Sequence, residues 1–381
     1  MWLAVQALAY PHKVAKNQLY RFEIVVVKVY LGELIMSTKP IGVGIAGLGR
    51  SGWDIHAKSI SKIPDLYKVV AVFDQEPARL KEAAEEFSCR TYTEYEEFLS
   101  DPEMELVIVA TPSHLHAPHT ISALKAGHHV LCEKPMAVAT EEADRMIETA
   151  KVCGRVLTVF QNRRYDPDFQ KVKEVIESGR IGKVLLIRIA QHFFQRRNDW
   201  QTLKEYGGGI LNNWGAHLLD QAMLLLGEED PEVLCQLAHT VSAGDAEDHA
   251  KITLKASRGL VVDLELSSCA AFSQDNWFVI GTCGGIRGST GGLTIKWFAP
   301  NSLPAVQVDR RPPQERDYGK PEEIPWQTEV WHAADSQYPG WEQIYFDLHR
   351  TIREGAPLVI TPESARRYIA LIARCKQLCS V

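Results

Sequence analysis

A glutamate, a lysine and a proline stand together in CEKPMA (132–137), directly after the apolar run AGHHVL. Proline lacks a backbone donor and restricts the residue before it, so Lys134 cannot simply continue a strand or a helix. Something else must fix that amine. Downstream, GGGILNNWGAHLLD (207–220) sets Asn213 four residues before His217. On a helix that spacing puts both on one face, one turn apart, with Asp220 and Gln221 extending the stripe. An imidazole is suited by type to proton transfer near neutrality. Oxidation of a secondary alcohol needs a base at the hydroxyl while hydride leaves the carbon, and histidine ordinarily titrates at about 6.5. The competing reading of His217 is a core imidazole satisfied by hydrogen bonds.

Hydride needs an acceptor, and GLGRSG offers a cradle for one. Gly47, Leu48, Gly49, Arg50, Ser51 and Gly52 follow the apolar run IGVGIA, and Asp74 closes the next apolar run, 22 residues after Gly52. In that context the first glycine permits a tight turn, the second lets backbone approach a pyrophosphate, and the third lets a helix pack close with its N-terminus on the phosphates. Asp74 is placed to accept hydrogen bonds from an adenosine ribose. A carboxylate there repels a 2′-phosphate, and Gln75, Glu76 and Pro77 bring no cation, so NAD is expected over NADP. Arg50 and Arg79 are the two cations that could reach a phosphate.

These residues must be held by elements, and two grammars are visible. Between Pro40 and about Phe160, the runs IGVGIAG, YKVVAVFD, ELVIVATP, HHVLCE and RVLTVFQ alternate with the amphipathic stretches PARLKEAAEEF, HAPHTISALKAG and TEEADRMIETAKVC. That is a βαβ series and predicts an α/β, doubly wound parallel sheet, the Rossmann arrangement, over 36–160. After the helix DPDFQKVKEVIESG the strands lengthen and alternate, and HAKITLKAS with GLVVDLELSS reads as a hairpin. An α/β domain with an open, mostly antiparallel sheet is expected over 161–381. WEQIYFDLHRTIREG and TPESARRYIALIARCKQL are its final helices, free to pack back on the first domain, with Thr361 and Pro362 opening the second. Ala299 to about Tyr338 shows no clear element. Residues 1–35 lack the order of a signal peptide and precede an ordinary start at Met36, so an upstream extension is expected, with an added edge strand, VVVKVYL, as the alternative.

Composition narrows the function classes. At 381 residues two domains are the default, and 45% hydrophobic with 24% charged residues is a globular balance. A net charge of −6 argues against nucleic acid or an anionic membrane as partner. Eight cysteines without a CxxC pair favour reduced thiols and a cytoplasmic setting. His114, His116, His119, His128 and His129 are numerous, but no HExxH or EF-hand pattern accompanies them and no metal is expected.

Taken together, GLGRSG, Asp74, ATPSHLH (110–116), CEKPMA, NRRYDP (162–167) and GGGILNNWGAHLLD resemble, in order and spacing, the glucose-fructose oxidoreductase and inositol dehydrogenase family, Gfo/Idh/MocA. The resemblance covers about residues 38–380. It implies that Lys134 reaches the junction of nicotinamide and substrate, that Glu133 belongs to the cofactor turn, and that Thr111, Pro112 and His116 lie near the cofactor. By the same resemblance His217 is catalytic, and Arg164 and Tyr165 of the RRYD run line the substrate pocket. The alternative for that run is a charge cluster capping the helix after Pro167. The family commonly has Asp where this chain has Asn213, so Lys134 is expected to hold its proton less tightly than in relatives.

The expected activity is NAD-dependent hydride transfer at a secondary hydroxyl of a sugar, inositol or glycoside, in a homodimer or homotetramer. Two alternatives stand beside it. One is glycoside cleavage through transient oxidation and elimination; the other is a non-catalytic dinucleotide-binding sensor.

Overall fold

The computed structural model describes residues 39–227, 230–308, 310 and 322–380. The expected extension over 1–35 and its alternative strand lie outside them. Six parallel strands form the first sheet: β1 (Ile41–Ala46), β2 (Tyr67–Phe73), β3 (Arg90–Tyr92), β4 (Leu106–Val109), β5 (His129–Cys132) and β6 (Leu157–Val159), in the order β3-β2-β1-β4-β5-β6. Helices α1 (Pro77–Phe87), α2 (His116–Lys125) and α3 (Thr140–Cys153) are three of the five crossovers that parallel pairing demands. Every residue of β1 and β4 is buried, which is why both read as unbroken apolar runs. The strand order reverses between β1 and β4, and ligands of such sheets bind at the carboxyl ends beside that point. β3, only three residues long and mostly exposed, is absent from the sequence expectation because it carries no apolar run.

After α4 (Pro167–Glu177) a second sheet begins. It holds β7 (Val184–His192), β8 (Glu232–Ala238), β9 (His249–Lys255), β10 (Val261–Ser267), β11 (Trp277–Gly281), β12 (Gly284–Ser289), β13 (Gly292–Trp297) and β14 (Gln327–His332). The order is β14-β13-β12-β11-β7-β10-β9-β8. The expected hairpin is β9 and β10, paired from Lys255↔Val261 to His249↔Ser267. β7 and β10 are the parallel pair in an otherwise antiparallel sheet. β14 lies inside the stretch where no element was expected. As an edge strand with largely exposed polar residues it lacks an apolar signature, and its pairing with β13 alone defines it.

One face of this sheet is packed. Trp277 stacks on Phe169 of α4 and donates its indole N–H to Asp168 at 2.7 Å. The other face alternates outward along β11, where Phe278 and Ile280 are exposed, and carries a charged ladder of Arg188, Asp263, Lys251 and Glu265. Helix α5 (Ala216–Leu226) is buried along most of its length.

The last helices, α6 (Gln343–Glu354) and α7 (Pro362–Leu378), return to the first sheet. Tyr67 donates to the carbonyl of Tyr345, Thr158 to that of Ile360, and the backbone N–H of Met136 donates to the Tyr368 hydroxyl at 2.8 Å. Thr361 caps α7 by accepting from the N–H of Ser364. No helix of the described residues is long and apolar enough to cross a membrane.

Candidate active site

The carboxyl ends of β1, β2, β4 and β5 carry the residues expected to hold the cofactor. Gly47 takes a φ of +93°, and a side chain there would meet the carbonyl of Ala110; a Cβ on Gly52 would lie 1.8 Å from the Gly47 oxygen. A Cβ on Gly49 would meet no atom of the described residues within 4 Å, so of the three glycines the one expected to let a ligand approach faces open space. Arg50 is exposed and Ser51 half-buried at the start of a π-helical turn, Ser51–Ala57. Asp74 is buried, and its oxygens accept from the N–H groups of Leu48 at 2.6 Å and Glu76 at 2.9 Å. Arg79 lies 3.5 Å from the same carboxylate. Backbone, turn and carboxylate therefore fit a dinucleotide.

Glu133 and His116 are buried and hold the neighbouring turns. His116 faces the carbonyl of Pro135 at 2.7 Å and that of Thr111 at 2.8 Å, so it ties the loop after β4 to the loop after β5. Pro112 lies in the same loop, half-buried. Glu133 accepts from the Lys134 N–H at 3.0 Å and sits 3.1 Å from His56, whose other nitrogen is 2.9 Å from the Tyr345 hydroxyl. Burial works to raise the Glu133 pKa, but the His56 hydrogen bond and the nearby positive charges outweigh it and hold the carboxyl below its usual range. His56 and Tyr345 escaped the sequence reading because their contact to Glu133 spans distant parts of the chain.

Lys134, thus anchored at its backbone, reaches across to the second sheet's side. Its Nζ donates to Asn213 Oδ1 at 3.1 Å and approaches the Asn213 carbonyl at 3.4 Å. Burial comes first among the causes that move its pKa. The Glu133 carboxylate pulls the other way, Arg163, Arg50 and Arg197 add to the burial effect, and the amine ends lowered to about 8. Asn213 lies in a π-helical turn, Leu211–Gly215, that runs into α5, so its stagger from His217 differs from that of a regular helix.

His217 is buried, and among the described residues its Nδ1 has no hydrogen-bond partner. Burial, then the charges of Lys134 and Arg163, hold its pKa well below the ordinary value. Protonation would bury an unpaired N–H beside two cations, so the ring is neutral near pH 7.

Two expected substrate residues are placed elsewhere. Arg164 is buried and forks onto Asp220 at 2.7 and 2.6 Å, with Ser364 as a third partner. Tyr165 donates to Asp347 of α6 at 2.7 Å. Both are engaged with Asp220 and with side chains of the C-terminal helices, whereas the expectation set them in the lining of the substrate pocket. Arg163 is the member of that run beside His217. It stands 4.7 Å above the Trp214 ring and pairs with Asp166 at 2.8 Å. Asp220 belongs to Arg164, and Gln221 donates to the Arg163 carbonyl, so the stripe after His217 is structural.

The histidine-rich stretch is dispersed among other duties. His128 bridges the carbonyls of Met104 and Leu99, His119 stacks on Tyr95, and His129 accepts from the Val156 N–H. Among the described residues no three His, Cys, Asp or Glu side chains are grouped to hold a metal.

Comparison with known proteins bears on the family and the fold. Residues 41–161 match the GFO_IDH_MocA oxidoreductase family with NAD-binding Rossmann fold, and residues 169–287 match the GFO/IDH/MocA C-terminal domain. An uncharacterized oxidoreductase of Schizosaccharomyces pombe is 34% identical over 49% of this chain, which spans only about half (52%) of that relative's length. The myo-inositol 2-dehydrogenase of Thermotoga maritima is 33% identical over 61% of this chain and 70% of its own. The crystal structure of an NAD-binding protein from Listeria innocua superposes with a TM-score of 0.74 at 26% identity, covering 90% of this chain and 95% of that one. With a Rossmann sheet, its glycine cradle and the matching second sheet all in place, the chain belongs to the Gfo/Idh/MocA oxidoreductase family.

Proposed function

We propose that this protein is an NAD-dependent dehydrogenase acting on a secondary hydroxyl of a polyhydroxylated ring, an inositol, sugar or glycoside, with residues 36–160 holding the cofactor and 161–381 the substrate. The observation that carries this reading is the meeting of Lys134 from the cofactor side with Asn213 in the turn that leads to His217. When bound, NAD would supply the hydride acceptor. Lys134 is the proton carrier, because a group titrating at about 8 loses and regains its proton near working pH. His217, neutral, holds the reacting hydroxyl by a hydrogen bond, and Asn213 aims the amine. Asp74 favours NAD over NADP by repelling a 2′-phosphate.

The relatives include an inositol 2-dehydrogenase, which makes inositols the first substrates to try. The exposed Phe278 and Ile280 and the charged ladder on the outer sheet face support a homodimer or homotetramer through that face, in a cytoplasmic enzyme. The test is to mix the protein with NAD and a panel of inositols, hexoses and glycosides and follow reduced nicotinamide by absorbance. Accumulation with one of them is the expected result. Cleavage of a glycoside at catalytic NAD with no net reduction would favour transient oxidation, and cofactor binding without either reaction would leave a sensor.

A further inference from the structure

Asn213 donates from Nδ2 to Gln201 Oε1 at 3.2 Å while its Oδ1 takes Lys134. The same Gln201 oxygen accepts from Arg197 Nη2, and Arg197 forks onto Asp199 at 2.9 and 2.8 Å. Chemistry fixes the direction of this chain. Guanidinium and ammonium can only donate, so the two amides between them are held with the Gln201 oxygen toward Arg197 and the Asn213 oxygen toward Lys134. Gln201 is also held by its backbone: its N–H donates to Asp199 Oδ1 at 3.0 Å, and its carbonyl accepts from Gly209 at 2.9 Å. A side chain on Gly208 would strike that carbonyl, so the GGG turn lets the loop seat there.

We infer that Gln201 is a positioning residue for Lys134, acting through Asn213: it sets which end of the Asn213 amide faces the amine, and Arg197 sets Gln201. This rests on the reading of Lys134 as the proton carrier. Positions 201 and 213 are then a matched pair. A carboxylate at 213 would place its second oxygen against Gln201 Oε1, and Gln201 could turn its NH2 toward it only by surrendering Arg197.

The readout is the Lys134 pKa in the full-length protein, measured without substrate by trace acetylation with acetic anhydride across pH and peptide mass spectrometry. Gln201→Met removes the acceptor, frees the Asn213 amide and lowers the Lys134 value by about one pH unit. Asn213→Ala gives a similar fall, and the double variant falls no further than either single, because both act on one contact. Gln201→Glu keeps the acceptor for Arg197 and Asn213 and leaves Lys134 at or above the parent value. A merely structural Gln201 would lower the melting temperature in Gln201→Met and leave Lys134 unmoved, which would overturn the inference. So would equal falls in Gln201→Met and Gln201→Glu, or additive falls in the double variant. Failure of the dehydrogenase reading shows separately, as absent turnover with this labelling pattern intact.

Discussion

Arg164 and Lys134 are both cations withdrawn from water, and the molecule treats them in opposite ways. Arg164 meets a carboxylate in a two-pronged pair, with a serine hydroxyl beside it. Its Nε and Nη2 donors are both used, and its charge is met by a carboxylate where it sits. Lys134 meets a neutral amide, with three arginines acting on it from around the pocket. One arrangement holds two halves of the chain together, and the other keeps a proton easy to remove. His217 follows the second pattern, with a buried nitrogen that has no partner among the described residues. The fully paired cation builds the fold, and the sparingly paired one is the group to which the proposed function gives the proton.

The contrast can be broken first at Lys134. Lys134→Met should cut kcat by about 10²- to 10⁴-fold on whichever substrate the panel identifies, with the thermal midpoint unchanged. Steady-state kinetics beside a melting curve checks both halves of that statement. Arg164→Met should do the reverse. It strands Asp220 in the interior and costs about 3–5 kcal/mol of stability by urea unfolding, while turnover per folded molecule persists.

A sharper cut exchanges the treatment rather than the residue. Asn213→Asp gives Lys134 a carboxylate, which favours the ammonium and raises its pKa from about 8. The oxidation rate, which grows as the amine loses its proton, should then need a higher pH, with kcat/KM shifted by about one pH unit or more and slower turnover at pH 7. Coincident pH profiles for parent and variant would show that position 213 does not govern the amine. The smallest effect is expected at Asp74, where the carboxylate is held by backbone N–H groups beside Arg79. Asp74→Ala should narrow the preference for NAD over NADP by about tenfold in fluorescence titrations, since one repulsive charge is lost.

Much of this was legible in the chain. The periodicities of IGVGIA and LVIV announced buried parallel strands, because strands covered on both faces have no polar side to show. Glycine spacing followed by Asp74 named the cofactor cradle, since its geometry is local. CEKPMA and GGGILNNWGAHLLD singled out Lys134 and His217, the two residues on which the proposed function is built. Adjacent residues were harder. Arg163, Arg164 and Tyr165 look alike as a polar run, and only the packing of α6 and α7 decides that Arg164 and Tyr165 turn inward while Arg163 faces His217. β14 escaped because an edge strand need not be apolar.

What the sequence determined by itself was the set of local conformations and the chemical types at their ends: where the backbone turns, where it must be glycine, which side chains can carry a proton. Tertiary structure alone decided the partners. The pairing of Lys134 with Asn213 and the His56 support under Glu133 join residues more than seventy positions apart, and even the shorter line from Arg197 through Gln201 to Asn213 needs a loop to fold back on the turn before α5. Hydrogen bonds and desolvation depend on distances of a few ångströms, which spacing along a chain does not specify.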